Sequence, residues 1–272
     1  MTEILALPVF RRALLALVAT GIAFPALGTV ILSLELIPAR FAVMHSALLG
    51  AAVGLLAGLD PLPCALAASL LAGAGIARMS ERGSASAGGA LGLVMTAALG
   101  LSFILFYKAK VDSLQAFSLF WGNILALSRA ETAAVTAGAV LVVLLSRVFL
   151  KEIRAVLYDR ELAAVLGIAA RPVYYGLILV TCLGIGLAMR LTGALLADAV
   201  TLLPALAARS LKKPLGPTLV WGAVFGLASN LGGLLLAFAL DLPASPAIIL
   251  IGTGIVLALR LTRLPGRGRA KA

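Results

Sequence analysis

Two ionisable residues stand inside long apolar runs of this chain, and both are of types that hold cations. His45, the only histidine, lies near the middle of the run Ile37–Gly58. Asp198 lies in GALLADAVTLLPALAAR, six residues before Pro204. An ionisable side chain costs about 3 kcal/mol at the centre of a membrane helix on insertion scales, so it is read as functional by default. An imidazole and a carboxylate facing one pore could coordinate a divalent cation such as zinc or manganese. A lone imidazole serves equally well as a hydrogen-bond donor between helices, and spacing leaves open whether His45 and Asp198 meet. Asn123 and Asn230 add amides at apolar positions. Cys64 and Cys182 lie far apart in apolar runs, a pattern of neither a disulfide scaffold nor a metal cluster.

The other chemistry-bearing stretch is polar. Lys151–Arg171 reads KEIRAVLYDRELAAVLGIAAR. Ile153, Val156, Leu157, Leu162, Val165 and Leu166 recur near helical spacing with charges between them. Gly167 is placed to stop that helix. An amphipathic helix outside the membrane either lies on the lipid surface or docks a partner. Glu152, Asp159 and Glu161 among the basic residues disfavour adhesion to anionic lipid and favour a protein groove.

The elements that must position these residues follow from composition. Hydrophobic residues make up 62% of the 272, charged residues 12%, and mean hydropathy is +1.13. A soluble domain carries about 25% charged residues. The expected fold is all-α: a polytopic membrane bundle of about eight or nine helices, forming one domain over 1–272. Nine apolar segments run from Ala13–Leu34 to Ala247–Leu261. The first is longer than a signal-peptide core and is expected to be retained. Leu191–Ala208 carries Asp198 and Pro204 and is expected to be broken there. Leu114–Leu127 is short enough for a re-entrant or interfacial helix. Gly50, Gly54 and Gly58, Gly88 and Gly92, and Gly222 and Gly226 are spaced for close helix approach.

The net charge of +11 does not mark a nucleic-acid binder, because the basic residues flank apolar runs. With nine spans, Arg78 and Arg82, the cluster from Arg147 to Arg171, Arg209 with Lys212 and Lys213, and the tail from Arg260 fall on one side. Arg40, near the start of the run Ile37–Gly58, falls on the same side, and that side is assigned to the cytoplasm. Arg11 and Arg12 fall on the other side and fit poorly. No GxxxxGK loop, HExxH, GxSxG or CxxC occurs. The chain is expected not to be an enzyme, and any ATP site belongs to another subunit.

Six collinear segments resemble the permease subunits of zinc, manganese and iron ABC importers. GTVILSLEL from Gly28 is similar to the end of that family's first span. ARFAVMHSALLGAAVG is similar to its G-D-A-L-S-H stretch, with His45 in the histidine place. LFWGNILALSRAE around Asn123, LYDRELAAVLGI from Leu157 to Ile168, the stretch Gly193–Ala208 and DLPASPAII from Asp241 follow in order. The resemblance implies a membrane permease that forms the pathway for a divalent metal, in a homodimer or pseudo-dimer. It implies cytoplasmic ATP-binding subunits and an extracytoplasmic metal-binding protein as partners. It implies that the segment holding Tyr158, Asp159, Glu161, Leu162, Leu166 and Gly167 is the coupling helix. One departure stands out: the acidic residue expected four before the histidine is Phe41. Metal then passes with weaker coordination, or another group such as Asp198 replaces the acid, or the cargo is a metal chelate. A proton-coupled carrier using His45 and Asp198 as relays is the alternative class.

Overall fold

Inside hydrocarbon every backbone N–H and C=O must be satisfied within its own segment, so the apolar runs form helices. The computed structural model describes residues 8–81, 87–111 and 124–262. In chain order the helices are α1 (Pro8–Ser33), α2 (Ile37–Leu56), α3 (Pro61–Glu81), α4 (Ala87–Lys108), α5 (Arg129–Val148), α6 (Leu150–Tyr158), α7 (Arg160–Val165), α8 (Ala170–Ser210), α9 (Leu215–Leu240) and α10 (Ala244–Leu261). Among the described residues, eight helices are long and apolar enough to cross a bilayer. The protein is a multi-pass membrane bundle. Asn123 and most of Leu114–Leu127 lie outside the described residues, and Ile124–Ala126 is a 3-10 turn.

Helix α8 reverses direction within its span. Gly193 has φ 71 and ψ 173, a conformation essentially reserved for glycine. Gly184, before it, packs on Leu27 of α1, and Thr201, after it, packs on the neighbouring Gly28. A straight helix would hold residues 184 and 201 about 25 Å apart. The arm from Gly193 to Ser210 therefore folds back past the level its first half has just crossed. The expected break in Leu191–Ala208 falls at Gly193, and not at Asp198 or Pro204, which both lie inside the returning helix.

Lipid tails are as apolar as leucine, so helix association in a bilayer rests on close packing and hydrogen bonds. Helix α1 is the hub. A Cβ at Gly226 would collide with the carbonyl of Gly21, and one at Gly28 with the carbonyl of Thr201. Gly50 and Gly54 likewise admit Cys64 of α3 against α2. Gly58 and Gly92 do not serve this purpose: a Cβ on either meets nothing, and Gly58 (φ 69) terminates α2. Asn230, fully buried on α9, donates its Nδ2 to the carbonyl of Leu17 at 2.8 Å, tying α9 to α1.

One end of the bundle gathers the basic residues. Arg160 of α7 lies over the ring of Tyr174 at 4.1 Å, and the Tyr174 hydroxyl donates to Ser80 Oγ at 2.6 Å. Leu150 of α6 approaches Gly216 of α9. The C-terminus of α3, helices α6 and α7, and the first turns of α8 and α9 thus share one end. It carries Arg78, Arg147, Lys151, Arg154, Arg160, Lys212 and Lys213, which marks it as cytoplasmic.

Candidate functional site

Arg40 is buried inside the bundle. Pro38 starts α2 without needing its missing N–H, which places Arg40 in the first turn, and the side chain turns into the bundle. It is 4% exposed, and its Nη1 pairs with Oδ1 of Asp198 on the returning arm of α8. The inward turn has a physical cause: a carboxylate sits within reach inside the apolar interior, where each charge needs its opposite. The guanidinium also lies 4.6 Å from the centre of the adjacent Phe41 ring. Pairing is incomplete. Arg40 Nε is buried without a hydrogen-bond partner, and so is the Thr181 hydroxyl, which lines the same small void. Asp198 is 29% exposed.

His45 stands on the same helix as Arg40. Its Nδ1 donates to the carbonyl of Phe41 at 2.7 Å. In the neutral ring this leaves the lone pair on Nε2, the nitrogen that could ligate a metal. No hydrogen bond or ion pair joins His45 to Asp198; the carboxylate goes to Arg40 instead. Among the described residues no group of three or more His, Cys, Asp or Glu converges as a metal site. Phe41, Val53 and Leu56 are exposed on α2, with His45 half-buried on the same stripe. Asn230, expected as a second polar intrusion, is a clamp between α9 and α1. Arg40 itself carried no signal of its role in the sequence: as a basic residue near the start of a span it looks like any topology marker.

The charged segment from Lys151 is two helices and not one rod. Asp159 adopts an extended conformation (φ −159, ψ 121), and its Oδ1 accepts from the N–H of Glu161 at 2.8 Å and of Leu162 at 3.0 Å. That is an N-cap, and it starts α7 afresh. The far end closes at Gly167 (φ 80): the Gly167 N–H bonds to Ala164 O, and the Ile168 N–H to Ala163 O, a Schellman closure. Splitting the segment divides its apolar stripe. Ile153 and Val156 of α6 are buried against the bundle. Leu157 lines an apolar cavity of about 320 Å³ between α6 and helices α1, α5, α8 and α9. On α7 only Ala163 faces inward, while Leu162, Val165 and Leu166 point outward with Tyr158. The surface open to a partner is therefore α7 with its flanks.

A membrane bundle with a charged pair inside and a capped apolar element on its basic face has the build of a transport permease. Residues 6–262 match the ABC 3 transport family, and the chain belongs to it. It is 26% identical over 260 residues to the manganese transport system membrane protein MntC of Listeria innocua, covering 95% of this chain and 91% of that one. It is 25% identical over 209 residues to the high-affinity zinc uptake system membrane protein ZnuB of Haemophilus influenzae, covering 76% of this chain and 79% of that one. Its fold is similar to a chain in the structure of PsaBC from Streptococcus pneumoniae in complex with Fab, with a TM-score of 0.84, 25% identity, and 95% and 93% of the two chains covered.

Proposed function

We propose that this chain is the permease of an ATP-driven importer of divalent transition-metal cations, manganese or zinc first. The observation that carries the reading is the outward face of α7 together with Tyr158 at the end of α6. Tyr158 is 84% exposed and Val165 83%, on the water side of the bundle, where apolar side chains call for a partner. A cytoplasmic ATP-hydrolysing subunit seated on Tyr158, Leu162 and Leu166 fits that face, with Glu161 at its rim. Asp159 and Gly167 hold α7 to one shape, so a push on it is transmitted. Arg160 passes the push to Tyr174 at the start of α8, and Tyr174 to Ser80 at the end of α3. Helix α8 leads on to the Gly193 reversal and Asp198.

The cargo class rests on the manganese and zinc systems named among the relatives. His45, through Nε2, and Asp198 are the pathway ligands. The unpartnered stripe Phe41–His45–Val53–Leu56 of α2 suits a second permease copy, which would close the conduit. An extracytoplasmic binding protein delivers the metal at the other end. ATP binding and hydrolysis occur in the partner, and the bundle alternates its access.

The test is uptake of manganese and zinc into proteoliposomes holding the permease, its ATPase and its binding protein. Uptake should require ATP and should vanish in Leu162→Asp while the permease stays folded and assembled in the membrane. Uptake that survives ATP depletion and collapses with the proton gradient would overturn the proposal.

A further inference from the structure

Asp198 already holds a cation, the guanidinium of Arg40. Building on the metal-import reading above, we infer that Arg40 is a specificity-determining counter-ion, which a passing dication must displace from Asp198 and which keeps the site weak for such cations.

The pair is not built as a permanent strut. Arginine–carboxylate bridges are frequently bidentate, with two parallel N–H donors, and gain strength and geometric specificity from it. Here one nitrogen meets one oxygen, and Nε is left buried and unpartnered. The Asp198 side chain is 29% exposed, so the carboxylate is not enclosed by the pairing. The two partners differ in access as well. Arg40 is 4% exposed and Asp198 29%. Of the two, the carboxylate is the more accessible to an arriving cation.

Arginine does not lose its proton in proteins. Its charge therefore stays in the interior whether or not it touches Asp198. A dication on Asp198 feels that fixed positive charge from a few ångströms, where the weak screening of the interior makes the repulsion large. A conduit must release what it binds, and Arg40 supplies the release. The carboxylate rides on the arm that follows Gly193, five residues beyond the reversal. Exchange of Arg40 for a cargo ion would thus free this arm from α2.

The experiment uses the complete complex in nanodiscs, without ATP, and measures Mn2+ binding by the loss of free-ion signal in electron paramagnetic resonance. Arg40→Gln should bind Mn2+ at least about tenfold tighter than wild type, because the repulsion is gone. Its ATP-driven turnover should fall. Arg40→Lys, which keeps the charge, should return the affinity to the wild-type range. Arg40→Gln combined with Asp198→Asn should lose the gain. Unchanged or weaker Mn2+ binding in a folded Arg40→Gln complex overturns the inference. So does full transport in the charge-swapped pair Arg40→Asp, Asp198→Arg, since only a strut survives reversal. Should Arg40→Gln not assemble, Asp198→Asn alone decides: it must remove the weak saturable Mn2+ binding of the wild type, and retention sinks the idea. Wild-type uptake run alongside separates the two levels. Normal ATP-driven Mn2+ uptake with no affinity change in Arg40→Gln rejects the counter-ion only. Absence of wild-type metal uptake rejects the importer reading and this inference with it.

Discussion

The α7 element and the Arg40–Asp198 pair are both polar features of an apolar protein, and they are built in opposite ways. In α7, surrounded by water, the free backbone donors find partners: Asp159 caps the first turn and the Gly167 turn closes the last. Its apolar side chains are the ones left without a partner. Inside the bundle the apolar side chains are packed, and a charged nitrogen is left without one. Each region leaves unsatisfied the kind of group its surroundings tolerate least. An exposed leucine face is resolved by a protein partner. A half-satisfied buried charge is costly, and the exchange inferred above would relieve it by a change of ionic partner. In the function proposed above, the difference separates where force enters from where cargo is handled.

Substitutions that strike one region and spare the other sharpen this contrast. The largest effect is expected from Leu162→Asp. A charge in the docking face should weaken the ATPase contact by about 3 kcal/mol, roughly a hundredfold. Co-purification of the ATPase with the permease reads this directly, and undiminished co-purification would move the docking face elsewhere. His45→Ala should cut metal flux about tenfold, as expected for loss of a ligand or its support, while ATPase association stays normal. Initial uptake rates across a metal concentration series check this, and an unchanged series removes His45 from the conduit. Asp159→Ala should lose about 1 kcal/mol of helix capping and loosen α7 without removing its apolar face. Hydrogen exchange at Glu161 and Leu162 should rise, and Asp159→Asn should restore protection. The smallest effect is expected from Asn230→Leu. A single hydrogen bond inside a membrane protein is worth about 0.6 kcal/mol on average, so a small drop in unfolding temperature should appear with metal selectivity unchanged. A shift in selectivity would instead bring Asn230 into the pathway.

The helical, amphipathic character of the segment that holds α7 was legible in its charges at helical spacing. Its division at Asp159 was also written in the chain, since Asp-Arg-Glu is a helix start as well as a helix interior. The periodicity of the flanking apolar residues obscured it by running on through the break. In the interior, Asp198 was conspicuous as an acid in a span. Its partner was not, because Arg40 near a span end carries the same signature as the basic residues that only mark topology.

The chain's composition by itself determined the solvent and the secondary structure: with so few polar groups, lipid is the only surrounding that fits, and lipid admits helices. Some of its spaced glycines, Gly50, Gly54 and Gly226 among them, marked helix faces that approach closely. Only the tertiary structure decided that α8 doubles back at Gly193, and so which helix Asp198 meets. Side-chain charge is a property of one residue and can be read in sequence. An ion pair between residues 158 apart depends on how two helices cross, and no local pattern records that.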